Sequence, residues 1–239
     1  MDPWLYALIS TYVPEHFSIL TELADGFLIK EIKDRRTYAN GVLHSFNDEP
    51  AEICCIGTKR WYQNGQLHRG SSRAGDNDLP AVIYLDGTKK WYRNGKLHRN
   101  NDLPVIVRID GTQEWWQNNE LVSKVYPNGT KNWYKNGVLH SFNDLPAMVW
   151  ADQSQFWYKN GELHRDDDLP AVIYTNGKQE WYQSGKLHRD RDRPAVIYIN
   201  GTKAWYRHGQ LHRNNGLPAI VCNNGKKEWW RNGKRFLVL

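Results

Sequence analysis

The chain contains few of the residues that mark several common protein classes. Only three cysteines occur in 239 residues, and two of them, Cys54 and Cys55, are adjacent. This odd number and spacing exclude a disulfide framework and favour a reducing compartment inside a cell. No stretch approaches the ~18 apolar residues of a transmembrane helix. The first residues include an acid and no basic stretch, so we expect no secretory signal peptide.

Motifs for phosphates and cofactors are also missing. No glycine-rich loop is followed by Lys and then Ser or Thr, so the 19 glycines are expected to form turns. Methionine (2) and phenylalanine (6) are scarce, whereas Trp (12) and Tyr (13) are abundant. This balance favours aromatic rings on thin sheets over a thick aliphatic core. We expect no cofactor, and the net charge of +6 permits an anionic partner without requiring one.

The chain does have a repeat of 24 residues. A tryptophan followed by a second aromatic residue marks it at Trp61, Trp91, Trp115, Trp133, Trp157, Trp181, Trp205 and Trp229. Five of the seven intervals are 24 residues, whereas an insertion lengthens one to 30 and a deletion shortens one to 18. We therefore predict a tandem array over residues 37–239 and a separate N-terminal segment over residues 1–36.

Each repeat has the signals of short β-strands joined by tight turns. Asn-Gly and Asp-Gly accept the positive φ of two-residue type I′ turns, and β-branched and aromatic residues flank them. A single hairpin is marginal in water, so each must lie against its neighbours. The predicted fold is mainly β: an elongated, twisted antiparallel meander of hairpin repeats.

Two-residue turns also fix which side chains share a face. Around Trp91 they predict one face with Val82, Tyr84, Lys89, Trp91, Arg93, Lys96 and His98. The other face, with Ile83, Leu85, Thr88, Lys90, Tyr92 and Leu97, is the better candidate for the core. The candidate binding face is the first one, with Lys and Arg beside Trp: Lys89, Trp91, Arg93, His98, Trp133, Lys135, Trp157, Lys159, Trp181, Trp205, Arg207 and Trp229.

A histidine recurs four residues before an aspartate, and these two residue types together form the acid–base pair of many enzymes. The pairs include His98 and Asp102, His140 and Asp144, His164 and Asp168, and His188 and Asp192. A catalytic dyad is needed once in one cavity, and zinc needs about four converging ligands, whereas neighbouring histidines here should stand roughly 10 Å apart. We therefore expect no catalytic or metal site. The pairs are interpreted as a structural ladder, in which Asp shapes the turn and orients an imidazole stacked on Trp.

The segments "DGTKKWYRNGKLH" and "NGKQEWYQSGKLH" resemble the MORN family in its variant form, which is abundant in giant double-stranded DNA viruses. The resemblance covers Thr37–Leu239 and implies β-hairpins in a rod-like sheet. It also implies a viral protein in the host cytoplasm or virion. One feature departs from the family: the Gly that usually follows His is Arg69, Arg99, Ser141, Arg165, Arg189 or Arg213. This departure weakens any transfer of the lipid association proposed for some members.

Residues 1–36 show helical rather than hairpin signals. Asp2-Pro3 is a good helix start, and a second helix is expected from Pro14. The simplest role is an α-helical cap on the first hairpin. The segment "DPWLYALISTYVPEHFSIL" also resembles the opening of an F-box, which would imply a substrate adaptor for a ubiquitin ligase.

Repetition without a unique polar cluster favours a non-enzymatic scaffold for protein–protein interaction. The alternatives are binding of nucleic acid or anionic lipid through the basic Trp face, and carbohydrate stacking on exposed rings. Self-association through edge strands or the N-terminal cap is also open. The pattern does not decide which face of the sheet is exposed.

Overall fold

The structure is a computed structural model that describes residues 34–70 and 78–236. Within these residues the secondary structure is entirely β, and none of it is a helix that could cross a membrane. The prediction of a mainly β, antiparallel array of hairpins is confirmed. The predicted helical cap and the F-box-like segment fall almost wholly on residues 1–33, outside the described residues. The chain divides into two compact units, the first ending at Asn119 and the second beginning at Glu120.

The first unit contains thirteen short strands within its described residues. They are β1 (Arg35–Arg36), β2 (Tyr38–Ala39), β3 (Val42–Leu43), β4 (Glu52–Ile53), β5 (Lys59–Arg60), β6 (Tyr62–Gln63), β7 (Gln66–Leu67), β8 (Val82–Ile83), β9 (Lys89–Lys90), β10 (Tyr92–Arg93), β11 (Lys96–Leu97), β12 (Ile106–Val107) and β13 (Gln113–Gln117). Strands β1, β4, β5, β8, β9, β12 and β13 pair antiparallel in that order. We call such a series a ladder.

The second unit contains eighteen strands within its described residues. They are β14 (Glu120–Val125), β15 (Lys131–Lys135), β16 (Val138–Leu139), β17 (Met148–Val149), β18 (Gln155–Phe156), β19 (Tyr158–Lys159), β20 (Glu162–Leu163), β21 (Val172–Ile173), β22 (Gln179–Glu180), β23 (Tyr182–Gln183), β24 (Lys186–Leu187), β25 (Val196–Ile197), β26 (Lys203–Ala204), β27 (Tyr206–Arg207), β28 (Gln210–Leu211), β29 (Ile220–Val221), β30 (Lys227–Arg231) and β31 (Lys234–Phe236). Its ladder runs β14, β15, β17, β18, β21, β22, β25, β26, β29 and β30.

Beside each ladder lies a row of small hairpins closed by Asn-Gly or a related pair. In the hairpin of β10 and β11, Arg93 lies opposite Lys96 and Tyr92 opposite Leu97. Asn94 has a φ of 51° and Gly95 a φ of 74°, as a type I′ turn requires. The predicted register of this turn is therefore confirmed. The N–H of Gly95 donates to the carbonyl of Leu67 in the preceding hairpin, so the hairpins stack through their turns.

The Asp-Gly turns of the ladder have a different geometry from the predicted one. Ile83 lies opposite Lys89 and Val82 opposite Lys90, one residue away from the predicted pairing of Val82 with Trp91. Only Gly87 has a positive φ, and its N–H donates to the carbonyl of Tyr84. The loop therefore has three residues, with a type I turn followed by a left-handed glycine.

The Asp86 side chain stabilises the longer loop. Its carboxylate accepts a hydrogen bond from the N–H of Thr88 at 2.7 Å, and Thr88 itself is buried. The extra loop residue shifts the register by one, and a one-residue shift moves each side chain to the opposite face. The two predicted faces are therefore wrong for this half of the repeat.

The observed core lies on the side of the ladder that carries Val82. This valine is 2 % exposed, and the adjacent Ala81 is fully buried. The same two positions hold buried apolar residues in three other repeats, at Val105-Ile106, Ala171-Val172 and Ala195-Val196, each after a proline. Ile83, which we assigned to the core, is only half-buried and shares the outer face with Lys89. Burial of small and β-branched side chains explains why Pro-Ala-Val recurs.

Buried carboxylates interrupt this apolar row. Glu114 is 1 % exposed, accepts a hydrogen bond from Arg108 Nε at 2.8 Å and another from Trp116 Nε1 at 3.0 Å. Glu180 is bound by Lys178 at 2.6 Å and by the hydroxyl of Tyr182 at 3.1 Å. These pairs satisfy the charges that the thin core encloses.

Candidate functional site

A row of tryptophan rings in each unit is covered by arginine side chains. Five indoles have an exposed fraction of 4–8 %, and they belong to Trp61, Trp91, Trp157, Trp181 and Trp205. The guanidinium of the arginine eight residues later lies 3.7–3.8 Å from each ring centroid. A stacked guanidinium is a cation–π contact worth about 0.5–2 kcal/mol. These five rings are therefore closed to a ligand.

Each covering arginine also joins two consecutive loops. Nε and Nη2 of Arg189 donate to the two carboxylate oxygens of Asp168 at 2.9 and 2.8 Å, and Nη1 donates to the carbonyl of Pro194. The equivalent pairs are Arg69 with Asp48, Arg165 with Asp144 and Arg213 with Asp192, whereas Nε and Nη2 of Arg99 both contact one oxygen of Asp78. Two-pronged pairs of this kind are among the stronger hydrogen bonds in proteins.

The backbone conformation of the loop explains why aspartate recurs there. Asp168 has a φ of 58°, in the left-handed region that Asp, Asn and Gly adopt most readily. Its carbonyl accepts a hydrogen bond from the indole of Trp181 at 2.9 Å. Gly216 takes this place in the last loop, with a φ of 67° and a hydrogen bond from Trp229. Gly216 adopts the same backbone conformation but has no carboxylate to bind an arginine. The arginine is also missing in this repeat, since the residue 21 positions later is Leu237.

The histidines bind the backbone of the next hairpin. His164 Nδ1 accepts a hydrogen bond from the N–H of Ser184 at 3.3 Å, and its Nε2 lies 2.9 Å from the carboxylate of Asp166. The same contact to Nδ1 recurs at His44, His68, His140, His188 and His212. Because a backbone N–H can only donate, Nδ1 of His164 acts as the acceptor in this contact. At His68 and His212, Nδ1 also lies 3.0 and 2.8 Å from an asparagine Oδ1 of the next hairpin.

The expected contact between each histidine and the aspartate four residues later is replaced by others. The carboxylates of Asp144, Asp168 and Asp192 bind arginine, and arginine rather than imidazole stacks on tryptophan. Histidine Nε2 instead contacts the residue two positions later, as His98 does with Asn100. The aspartate and the residue before it both have a positive φ, as Asp167 and Asp168 do, and these two residues reverse the chain direction. This reversal, which spacing alone does not show, directs the carboxylate to the following loop.

Most of the recurring His, Asp and Arg side chains thus bind one another or the backbone of a neighbouring repeat. Among residues 34–70 and 78–236, no three His, Cys, Asp or Glu side chains converge as a metal site would require. Cys54, Cys55 and Cys222 are free thiols. The repeated contacts join neighbouring loops and hairpins, so they position the exposed residues between them.

Because arginines bind the loop aspartates, the stability of the loops depends on pH. Hydrogen bonding from Arg189 holds the pKa of the Asp168 carboxyl below its usual value. Arg213 has the same effect on the pKa of Asp192. A carboxyl whose pKa is lower in the folded than in the unfolded chain stabilises the fold while it is ionised. This contribution is complete above the unfolded pKa and is lost as the pH falls through the folded pKa.

We expect the free energy of unfolding to fall as the pH drops below about 4, where unfolded aspartates bind protons more tightly. Asp168→Asn should reduce this slope. The reduction should be well below the one-proton limit of about 1.4 kcal/mol per pH unit, because solvent screens a partly exposed pair. Urea denaturation across this range measures the slope. Glu162→Gln, at an exposed hairpin position, should leave it unchanged, and identical slopes for Asp168→Asn and the wild type would contradict the assignment.

The residues of the predicted binding face fall into three environments. Trp91, Trp157, Trp181 and Trp205 are buried, and Trp133 and Trp229 are half-buried. The exposed residues are Lys89, Arg93, His98, Lys135, Lys159 and Arg207. In the repeats with a buried ring, the loop and its arginine cover the tryptophan. The exposed Lys and Arg side chains there lie beside rings that a ligand cannot reach.

Three tryptophans escape this cover, and the sequence contains the signal. Trp115, Trp133 and Trp229 are half-buried, and the residue eight positions later is Ser123, Ser141 or Leu237 instead of Arg. The strands β13, β15 and β30 run through these rings without a break. At the five covered rings the strand is interrupted. Comparing the repeats at this one position singles out the same three tryptophans, but only the fold shows that an arginine there covers the ring.

Shallow troughs separate consecutive loops of the second unit. Their volumes are about 300, 480 and 390 Å³ in chain order. The first lies between the loops that follow His140 and His164, the second between those after His164 and His188, and the third between those after His188 and His212. The troughs repeat with the sequence and are lined mostly by charged and amide side chains.

In comparisons with known proteins, no family model matches the chain and no curated protein is similar enough to count as a relative. The functional interpretation therefore depends on the contacts and exposed surfaces of the chain itself.

Proposed function

We propose that this chain is a non-enzymatic repeat scaffold of the MORN-variant type that binds an extended segment of another protein. The binding surface is the series of troughs between the His-to-Pro loops of the second unit. This surface replaces the basic Trp face considered from the sequence. From the MORN resemblance, the proposal also includes a viral protein that acts in the host cytoplasm or in the virion.

The observation that supports this proposal most directly is a constant frame with variable exposed positions. In each trough, His, Arg, Asp and Trp are bound to one another or to the backbone. The residues two and three positions after each histidine are exposed and differ between loops, although an Asp or Asn at the first of these positions also contacts histidine Nε2. They are Phe142 and Asn143, Asp166 and Asp167, Asp190 and Arg191, and Asn214 and Asn215. Repeat scaffolds acquire specificity in this way, since exposed residues can change while the contacts between repeats are kept.

The dimensions of the troughs suit an extended chain. Two ladder strands separate consecutive loops, so the troughs follow one another at about 10 Å. An extended peptide rises about 3.3 Å per residue, so about three of its residues would span each repeat. The loop with Asp166 and Asp167 is acidic. The trough between the loops that follow His188 and His212 has Arg191 and Arg207 exposed instead. A partner segment with basic residues followed by acidic ones would match this order.

Selection of binders from a random peptide library against the purified protein tests the proposal. We expect the selected peptides to combine basic and acidic clusters. Asp167→Asn with Arg191→Asn should weaken their binding by about tenfold, because two exposed charges are lost. Asparagine suits both positions, since Asp167 has a φ of 60° and Arg191 a φ of 59°. Calorimetric titration of the peptides measures the change.

A matched control separates this surface from the rest of the unit. Ile199 is 72 % exposed at the tip of a ladder loop, so Ile199→Ser removes an exposed side chain away from the troughs. Peptide affinity should not change in this variant. Recovery of no binding peptide, or equal losses in both variants, would be evidence against the troughs as the binding surface.

The sequence also suggests carbohydrate binding, a ubiquitin-ligase adaptor and self-association. Carbohydrate stacking needs accessible rings, and five of the eight repeat tryptophans are buried. The ubiquitin-ligase adaptor depends on residues 1–36 and stays a prediction from their sequence. Self-association also stays a prediction, although both β1 and β31 carry arginine or lysine, which disfavours pairing between sheet edges.

A further inference from the structure

The positive charge of the chain is concentrated in its last two repeats. Residues 196–239 contain eight Lys or Arg residues and a single acid, Glu228, for a net charge of +7. The whole chain has a net charge of +6, so residues 1–195 are close to neutral, at −1. Most of these cations are exposed, among them Lys203, Arg207 and Lys227. Such an uneven distribution marks a local surface for an anionic partner.

The hairpin of β30 and β31 presents these charges beside aromatic rings. Lys227, Trp229 and Arg231 alternate along one continuous strand, so their side chains lie on the same face. Arg231 lies opposite Lys234, and Trp229 lies opposite Phe236, which places these partners on that face as well. We call these five residues the terminal platform. Its cations stand about 7 Å to either side of Trp229 along the strand.

The terminal platform differs from the equivalent positions of earlier repeats in two ways. Its tryptophan is half-buried instead of buried, and no arginine stands at the position that covers the ring elsewhere. Phe236 adds a second ring that is 39 % exposed. The single acid of this region, Glu228, points to the opposite face, where Trp230 and Lys226 bind its carboxylate.

From this geometry we propose that the terminal platform binds single-stranded nucleic acid. Bases stack on Trp229 and Phe236, and the flanking cations Lys227, Arg231 and Lys234 bind the phosphates. A ring between two cations along an extended strand matches the alternation of base and phosphate in a single strand. Lys203 and Arg207 of the preceding repeat extend the charged track, since Lys203 and Lys227 both lie opposite Val221.

Nucleic acid fits this surface better than a membrane does. The loops around the terminal platform expose amides at Asn214, Asn215, Asn223 and Asn224. Amides hydrogen-bond to base edges and sugars. Only one large apolar side chain, Leu217, is exposed in these two loops, fewer than a membrane-binding surface would place there. The five residues of the terminal platform line none of the troughs, although Arg207 and Asn214 border both surfaces. Variants at Lys227, Arg231 and Phe236 therefore test this proposal separately from the protein-binding function.

Fluorescence anisotropy with a labelled oligothymidylate of about 15 nucleotides at low salt tests this inference. We expect Lys227→Gln with Arg231→Gln to raise Kd by about tenfold or more, and to reduce the slope of log K against log salt by about 1.4. Phe236→Ala should raise Kd about fivefold or more, because a base loses its stacking partner.

The chain offers a control with the same charge change in a covered repeat. Lys89→Gln with Arg93→Gln alters the equivalent positions around Trp91, whose ring is closed by Arg99. This variant should change Kd by less than about twofold. Equal losses in the two double variants, or no binding by the wild type, would overturn the proposal. Binding to phosphatidylserine vesicles without binding to the oligonucleotide would overturn it in favour of a lipid surface.

Discussion

Replacement of Trp181 by alanine should lower the free energy of unfolding of the second unit by about 3–5 kcal/mol, the usual range for a buried tryptophan. The ring is 6 % exposed, stacks under Arg189 and donates a hydrogen bond to the carbonyl of Asp168. The substitution therefore leaves a cavity, an unstacked guanidinium and a loop carbonyl without its donor. Urea denaturation followed by circular dichroism measures the loss.

Trp133→Ala provides a position-matched comparison within the same unit. Its ring is half-buried, and Ser141 stands where the covering arginine would be. We expect a loss of roughly half that of Trp181→Ala, because less apolar area leaves water and no cation–π contact is broken. Similar losses at both positions would mean that the arginine cover does not strengthen the ladder.

Replacement of Arg189 by alanine should have the second largest effect, a loss of about 2–3 kcal/mol. It removes a cation–π contact worth about 0.5–2 kcal/mol and hydrogen bonds to the Asp168 carboxylate worth about 1.5–3 kcal/mol, partly screened by solvent. Arg189→Lys should restore less than half of this loss. An ammonium group keeps the charge, but it cannot stack flat on Trp181 and bind two carboxylate oxygens together.

Arg207→Ala is the control for general effects of charge on stability. Arg207 is exposed on a hairpin and has no ring beneath it among the described contacts. Its loss should change the free energy of unfolding by no more than about 0.5 kcal/mol. If Arg189→Lys proved as stable as the wild type, the charge alone would matter, and the two-pronged geometry would have no energetic role.

Local features of the repeat could be predicted because they depend on neighbouring residues. The Asn94-Gly95 turn has the predicted type and register, since both residues reach a positive φ at little cost. The same reasoning predicts the same type for the Asp86-Gly87 turn. There the carboxylate of Asp86 binds the N–H of Thr88, the loop gains a residue and every facing pair shifts by one. Two dipeptides with similar propensities thus form different turns.

The candidate site was harder to predict because its contacts join residues far apart in sequence. Asp168 and Arg189 are separated by 21 residues, whereas the pairing expected from the sequence joined residues four apart. The recurrence of Asp and Arg at this separation is visible in the sequence, as is its loss at Gly216 and Leu237. Without the fold, nothing shows that a separation of 21 residues corresponds to direct contact.

The amino-acid sequence by itself determined that the chain is an array, with a 24-residue period and β-hairpins closed by Asn-Gly turns. These properties follow from local backbone preferences and from simple recurrence. Only the tertiary structure decided which tryptophans are covered, which carboxylate meets which guanidinium and which strand leaves its ring open. Those outcomes depend on how consecutive loops fold over the sheet, and such packing is a property of several repeats together rather than of any one.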